Sequence, residues 1–492
     1  MSVQSPAPDA PRPKRKRRSL QDIQDRFNLQ KRFWRDLRHG WPGALVSALL
    51  HAVLLLILSV IVYKILQPHP LMITMGWATV VEEPDKPEEK SPEPIKIPSL
   101  SFNSTPAMER PPEPVVGKEP VARPPLALAD ISDALNQRPH RTPENPNPES
   151  TDEQLRTALD KALRWIVIQQ QPDGHWSLNG PYADAGTIET NSGATALALL
   201  ALLGDGHTHK GGPYASNVDR GLQWLIRQQR PNGDLFDILE EGREPHFYSH
   251  AQGTIALCEA LVLTGDESLR EPARKAVQFL IDAQNPKLGG WKYRPLTETG
   301  IGDLSVTGWA LMAMNTARMA GIEVPLETYR VADLFLNSVQ ENDVNGAMYK
   351  YRPDFPMEPA QRLSMTAEGL LCRQWLGWPS DHFDMKQGVD FLISEKNRPE
   401  WAAHRRNVYA WYYTAQSLHN LGGQRWEQWY TNVQHLILKN QMTAGPTVGS
   451  WHPHRPEGDF QERSRDAGRL YVTVMCVLIL ETPYRHKPLY AE

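Results

Sequence analysis

The feature that most constrains this chain is a glutamine that returns, in a fixed setting, along its distal two thirds. The segment KALRWIVIQQQPDGHW, from Lys161 to Trp176, sets the pattern. A basic residue is followed by a small one, an aromatic four places after the basic residue, an aliphatic, Gln170, and a turn with Gly174 and Trp176. RGLQWLIRQQRPNGDL repeats it with Trp224, Gln229 and Gly233, and KAVQFLIDAQNPKLGGW with Phe279, Gln284, Gly289 and Trp291. Weaker copies stand at Phe335/Gln340/Gly346, at Phe391/Lys396/Trp401 and at Leu436/Gln441/Gly449/Trp451. The glutamine-type position advances by 59, 55, 56, 56 and 45 residues, a regularity that marks stacked supersecondary units.

Between the copies lie helix-long segments of a second kind, such as TIETNSGATALALLALLG and DLSVTGWALMAMNTARMAG, apolar nearly all round. A helix apolar on every side must be buried, whereas the glutamine-bearing segments carry charge on one face (Asp160, Lys161 and Arg164; Asp219, Arg220 and Arg227) and meet water there. Outer and inner helices therefore alternate. Six such pairs predict an all-α fold, an (α/α)6 toroid over residues 151–492, with the inner helices around a central cavity. Cys258, Cys372 and Cys476 fall in inner segments, so three separated thiols read as packing.

The preceding residues are of another composition. Residues 1–40 hold 11 Lys/Arg against 4 Asp/Glu, a basic tail on a chain of net charge −4. Residues 41–67 contain the run ALVSALLHAVLLLILSVIVY (44–63), long enough for one transmembrane helix at about 1.5 Å per residue. Positive charge before the run and little after it predicts a cytoplasmic N-terminus and an extracytoplasmic, periplasmic-type C-terminal domain. The basic cluster is accounted for by topology and anionic lipid, so no nucleic-acid partner is expected. Residues 68–150 hold 18 of the 42 prolines and read as a disordered spacer of polyproline II and coil, with a short apolar piece around Leu71–Val81 and a weak helix around Ala127–Asn136. Within the span, Ser47 and His51 share a helix face. With the short basic start and the acidic proline-rich stretch, they resemble the N-terminal half of TonB-like energy transducers. That resemblance implies an inner-membrane protein partner reading the Ser/His face; a passive anchor with His51 bonded back to its own helix is the plainer reading.

The glutamine repeat resembles the QW motif of squalene and oxidosqualene cyclases, which share their toroid with protein prenyltransferase β subunits. Lys161–Trp176 and Lys275–Trp291 match it in full. The resemblance implies that Gln170, Trp176, Gln229, Gln284 and Trp291 clamp neighbouring outer helices. It also implies a protonating Asp-x-Asp-Asp-Thr-Ala box, whose nearest counterpart is Asp303-Leu304-Ser305-Val306-Thr307-Gly308. Ser305 and Val306 stand where the paired acids belong, and the zinc ligands of the prenyltransferases have no match. No cofactor and no metal are expected; His207/His209 and His452/His454 each read as histidines of a polar loop.

The first turns of the inner helices converge at the cavity mouth. They supply Asp303 and His250 as a candidate acid/base pair, and Tyr248, Thr307, Trp309, Arg362, Thr366, Tyr409, Trp411, Tyr412, Arg469 and Tyr471 as candidate ligand contacts. Three readings stay open. The toroid binds a lipid, glycan or peptide without cyclase chemistry; it is a terpenoid-type or polysaccharide-acting enzyme; or it is a scaffold coupled to membrane partners. A hole plugged by its own aromatics, with Asp303 merely capping its helix, is the structural alternative to a ligand site.

Overall fold

The computed structural model describes residues 123–141, 152–236, 246–296, 299–343 and 346–490. The basic tail, the apolar run with Ser47 and His51, and most of the spacer lie outside them. Among the described residues no helix is long and apolar enough to cross a membrane.

From residue 152 onward the chain runs as helix pairs, the outer member first: α1 (Glu153–Ile168) and α2 (Asn191–Gly204), α3 (Ala215–Gln228) and α4 (His246–Thr264), α5 (Arg270–Ala283) and α6 (Leu304–Met319), α7 (Leu326–Val339) and α8 (Arg362–Trp375), α9 (Phe383–Leu392) and α10 (Val408–Leu421), α11 (Gly423–Lys439) and α12 (Ser464–Arg485). A two-stranded antiparallel ribbon, β1 (Gln340–Asp343) and β2 (Gly346–Tyr349), joins α7 to α8. The inner helices pack in sequence, α2 on α4, α4 on α6, α6 on α8, α8 on α10 and α10 on α12, and α12 returns to α2. The ring is closed, and the domain is an α/α toroid. Burial follows the sequence pattern: α2 is buried from Ser192 to Gly204, whereas α3 buries only a stripe of Val218, Gly221, Leu222, Trp224 and Leu225.

The repeat residues are the staples of this ring. Gln170, Gln229, Gln284 and Gln441 each donate from Nε2 to a backbone carbonyl at the start of the next outer helix: Asn217 (2.9 Å), Pro272 (2.9 Å), Thr328 (3.0 Å) and Ala158 (2.8 Å). The last of these joins the sixth repeat to the first. Trp176, Trp291 and Trp451 donate their indole N–H at 2.7 Å to Ile166, Leu280 and Ile437 carbonyls near the end of their own outer helix. Their backbone N–H groups are taken by Thr195, Thr307 and Thr473 of the following inner helix, and Tyr349 uses Thr366 in the same way. The turn glycines complete the joint. A Cβ on Gly174, Gly233, Gly289 or Gly449 would lie 2.5, 2.1, 1.8 or 2.2 Å from the carbonyl oxygen of Arg220, Lys275, Val331 or Lys161 on the next outer helix. In each case the residue after that carbonyl is Gly221, Ala276, Ala332 or Ala162, which explains the small residue of the repeat.

One expectation needs correction. Residues 123–141, placed by composition inside the disordered spacer, form a strap across the C-terminal end of the inner ring. Ala127 and Ala129 donate backbone N–H bonds to the Leu376 and Trp375 carbonyls, and Lys487 N–H bonds the Ala134 carbonyl. Ile131, Ala134 and Leu135 are buried. Arg138 reaches through the ring end to Glu259 of α4 with two bonds of 2.7 and 2.8 Å, and Arg485 of α12 pairs with the same carboxylate at 3.1 Å. Burial alone would raise the Glu259 pKa; Arg138 and Arg485 outweigh it and hold the group down at about 2. A cavity of about 30 Å³ remains beneath the strap, lined by Ile131, Ala134, Asn315, Gln416, His419 and His486. That is room for a water or so.

Candidate functional site

The opposite end of the ring, where the inner helices begin, gathers tyrosines around two buried acids. The first acid is Asp303. It is the N-cap of α6, a position that puts a carboxylate where the helix has unsatisfied N–H groups. Its Oδ1 accepts from Val306 N–H (2.9 Å) and from the Ser305 hydroxyl (3.0 Å), and its Oδ2 from the Tyr351 hydroxyl (3.0 Å). Burial pushes its pKa up, and these donors with Lys292 offset part of the rise. A hydroxyl chain extends the site: Tyr351 and Tyr293 share a bond of 2.7 Å, and Tyr248 meets Ser305 at 2.6 Å. Tyr293 and Tyr351 come from a duplicated element, Lys292-Tyr293-Arg294-Pro295 and Lys350-Tyr351-Arg352-Pro353, each just after a staple position.

The second acid is Glu368, about two turns into α8 and fully buried. Its Oε2 accepts from the Tyr409 hydroxyl of α10 at 3.1 Å. Its Oε1 lies where a Cβ on Gly308 of α6 would come within 2.0 Å. A side chain of α8 that meets both α6 and α10 faces the ring interior. Burial raises the Glu368 pKa well above the usual carboxyl range; hydrogen bonding to Tyr409 and Tyr413 opposes this and the nearby Asp303 reinforces it. Burial thus favours the neutral form of Glu368.

Below this level the ring is filled. Trp309 stacks on Tyr412 with centroids 5.8 Å apart, Tyr413 packs edge-on against Tyr412 at 5.2 Å and against Tyr409 at 5.1 Å, and Trp309, Tyr412 and Tyr413 are all buried. Tyr248, Tyr293, Tyr351, Tyr409 and Tyr471 are half-buried and form the visible cup.

Several residues expected at the mouth hold the scaffold instead. His250 is not paired with Asp303. It accepts from Leu235 N–H at 3.0 Å, bonds the Ala276 carbonyl of outer helix α5 at 3.0 Å and lies edge-on to Phe279, so it faces the layer between the two rings. Thr307 and Thr366 are spent on the staples above. Arg469 is clamped by the Ala183 carbonyl, Ser450 and Asp184, joining the last repeat to the first. Trp411 is buried against Trp401, and Arg362 donates to the Met357 sulfur on the rim. Tyr248, Tyr409 and Tyr471 belong to the cup, and Trp309 and Tyr412 to the plug beneath it. Glu368, Tyr293 and Tyr351 are site residues that the sequence pattern does not single out. Their signals are a single Glu in the apolar run RLSMTAEGLLCRQW and the doubled Lys-Tyr-Arg-Pro. No group of three or more His, Cys, Asp or Glu suited to a metal occurs among the described residues.

Comparison with known proteins adds sequence likeness over one part of the toroid. The family model of the squalene-hopene cyclase C-terminal domain matches residues 149–244. Lanosterol synthases of Aspergillus fumigatus and Gibberella zeae are 27% identical over 148 residues and 28% over 150, in each case 29% of this chain and 18% of the relative. The chain thus matches less than a fifth of the length of these curated relatives. Among solved structures, the α-1,6-mannanase GH76A of Salegentibacter is similar with a TM-score of 0.46 and 11% identity, covering 67% of this chain and 98% of its own. A variant of the type II terpene cyclase MstE of Scytonema has a TM-score of 0.44 and 14% identity, covering 68% and 96%. The domain is a cyclase-like α/α toroid.

Proposed function

We propose that the toroid is a ligand-binding domain whose site is the tyrosine cup at the start of the inner helices, and that it runs no cyclase chemistry. The observation that carries this reading is the filled interior. A long hydrocarbon chain folded inside the ring would have to displace Trp309, Tyr412 and Tyr413, which are packed on one another. A polar head group, by contrast, finds half-buried rings with hydroxyls around Asp303. The Ser305-Val306 pair in place of the family's acids points the same way. Full-length protein in detergent, exposed to membrane lipids, cell-wall glycans and peptides and examined by native mass spectrometry, should retain a ligand. Tyr351→Phe removes a donor to Asp303 and should weaken retention about tenfold or more, with an unchanged melting temperature. A protein that retains nothing from any pool overturns the reading.

A catalytic reading rests on one observation, two buried carboxyl groups in unlike settings: Asp303 at a helix N-cap with three donors, and Glu368 inside the ring against Tyr409, an arrangement of the kind that serves proton transfer. It requires turnover that Glu368→Gln abolishes.

The remaining proposals rest on sequence. The run 44–63 is a single N-in span, and the spacer carries the toroid outside the cytoplasm. With the native cysteines buried, Ser101→Cys should react with an impermeant maleimide on intact cells and Ser5→Cys only after lysis; the reverse pattern overturns the topology. Coupling to a membrane protein through Ser47 and His51 predicts that His51→Leu loses a partner that wild type co-purifies, and an unchanged set of partners removes the idea.

A further inference from the structure

We infer that the strap is a two-part device: residues 123–130 form a latch that undocks from the ring end on its own, while residues 131–141 stay anchored. The two parts are held differently. None of residues 123–130 is buried. Leu126 and Leu128 rest half-covered on the core, and the chain is tied by Ala127 and Ala129 N–H to the Leu376 and Trp375 carbonyls (3.2 and 3.1 Å) and by Arg318, which donates to the Ala129 carbonyl at 3.2 Å. Pro124 and Pro125 have no N–H to add. Residues 131–141, by contrast, bury Ile131, Ala134, Leu135, Arg138 and Arg141. Arg138 grips Glu259, and Arg141 donates to the Asp205 carboxylate at 2.7 Å and to the Asp205 carbonyl at 2.8 Å. Arg156 of α1 and Tyr484 of α12 bond the same carboxylate at 2.6 and 3.1 Å. Breaking such buried pairs is strongly destabilising, so this part leaves only when the fold does. Asp130 marks the boundary: its Oδ1 accepts from Ser132 N–H at 3.1 Å, and a turn follows in which Ala134, Asn136 and Arg138 N–H bond the Ile131, Asp133 and Leu135 carbonyls. Local opening tracks the density of buried contacts, which changes abruptly there.

The second observation is independent of burial. Inner helices α2, α4, α6, α8 and α10 are each followed by a glycine at positive φ: Gly206, Gly265, Gly321, Gly377 and Gly422. A Cβ on Gly265, Gly321 or Gly422 would meet nothing within 4 Å, whereas on Gly377 it would stand 1.5 Å from the Ala127 carbonyl oxygen and on Gly206 1.8 Å from that of Pro139. Each part of the strap therefore has its own bare seat, and the seat at Gly377 belongs to the latch.

The latch is the part next to the spacer in sequence, so a pull on the spacer works against its few contacts first. Undocking releases up to about 26 Å of chain, at about 3.3 Å per residue. It uncovers the Trp375 and Leu376 carbonyls and the Arg318 guanidinium. The cavity beneath the strap stays shut, because Ile131 and Ala134, which line it, lie in the anchored part. The ring end thus takes up slack without opening.

Hydrogen exchange of the full chain in maltoside detergent, resolved to single amides by mass spectrometric fragmentation, is the test. The Ala127 and Ala129 amides report the latch, and the Lys487 amide, bonded to the Ala134 carbonyl at 2.7 Å, reports the anchored part. We expect the latch amides to be protected, yet to exchange about a hundredfold or more faster than Lys487 and at a rate insensitive to urea below the unfolding transition. Gly377→Ala should accelerate Ala127 and Ala129 about tenfold further and leave Lys487 unchanged. Gly321→Ala places the same residue at φ +65 with nothing within 4 Å and should change neither. One common rate for all three amides, rising together with urea, overturns the two-part strap, as does a Gly377→Ala variant that accelerates Lys487 equally. Latch amides that exchange in wild type as fast as in unfolded chain overturn the docked latch itself.

Discussion

Glu259→Leu is expected to destabilise the toroid by about 3–5 kcal/mol, the usual cost of removing one partner from a buried ion pair. The variant leaves Arg138 and Arg485, each almost fully buried, without the carboxylate that both engage. Arg485 retains Glu481 at 2.9 Å, but Arg138 keeps only the Arg485 and Leu203 carbonyls. Urea unfolding measures the loss directly. Because Arg138 belongs to the strap, trypsin cleavage within 123–141 should also accelerate in the folded variant. The pH profile gives a separate check. The Glu259 pKa is depressed to about 2 in the fold, against the ordinary value near 4.5 of an unfolded chain. Its contribution is therefore fully present above about pH 4.5 and lost as pH falls through about 2. Wild type should lose stability over that window, and Glu259→Leu should show a flatter acid limb. A variant with wild-type urea midpoint and an unchanged acid limb would show that the strap is not held through this carboxylate.

The strap also marks where the sequence stops being legible. The toroid is readable because its signal is local and repeated: each outer helix carries its own charged face, and each Gln–Gly–Trp turn sits at the same place in its unit. Ile131, Ala134 and Leu135 stand at i, i+3 and i+4, enough to read as a short weak helix but not as a docked strap, and Pro125 and Pro139 bound the stretch. Their burial depends on Arg485 and Lys487, some 350 residues later, since Arg138 and Arg485 are 347 positions apart. The site is legible in part for a related reason. Helix starts follow from capping chemistry, which puts Asp303 at the head of α6, where it caps Val306. The direction of a side chain on a helix apolar all round does not follow from its position. Thr307 and Trp309 look alike as mouth residues, yet one bonds Trp291 N–H and the other fills the ring. His250 departs from its expected place on the same ground, and Glu368 escapes a search of first turns because it lies below them. A sounder rule for such helices starts from their acids. Glu259, Glu368 and Glu481 are carboxyls set within apolar runs of inner helices, and each marks the strap joint or the interior.

Gly289→Val is expected to cost about 2–6 kcal/mol, the sum of a left-handed backbone imposed on a branched residue and an overpacked joint. Gly289 has φ +67, and its Cβ would stand 1.8 Å from the Val331 carbonyl oxygen, a backbone atom inside α7 that cannot turn aside. Relief requires α5 and α7 to separate, which stretches the Gln284–Thr328 bond (3.0 Å) and disturbs the Trp291–Leu280 bond (2.7 Å). Gly265→Val is the control. That glycine has φ +61 with nothing within 4 Å of where a Cβ would stand, so only the backbone strain of about 1–3 kcal/mol applies. Thermal unfolding of the two variants should therefore differ clearly, with Gly289→Val melting lower. Equal shifts would mean that the turn glycines serve the turn alone and do not dock the repeats. Gly449→Val carries the comparison to the ring closure, where the Cβ of the sixth turn would meet the Lys161 carbonyl of α1 at 2.2 Å. A loss there as large as at Gly289, in a single transition, would mean that the closing joint bears the same load as the internal ones. A shallow first transition would mean that the ring opens at its seam before it unfolds, exposing the Arg469–Asp184 clamp that lies beside it.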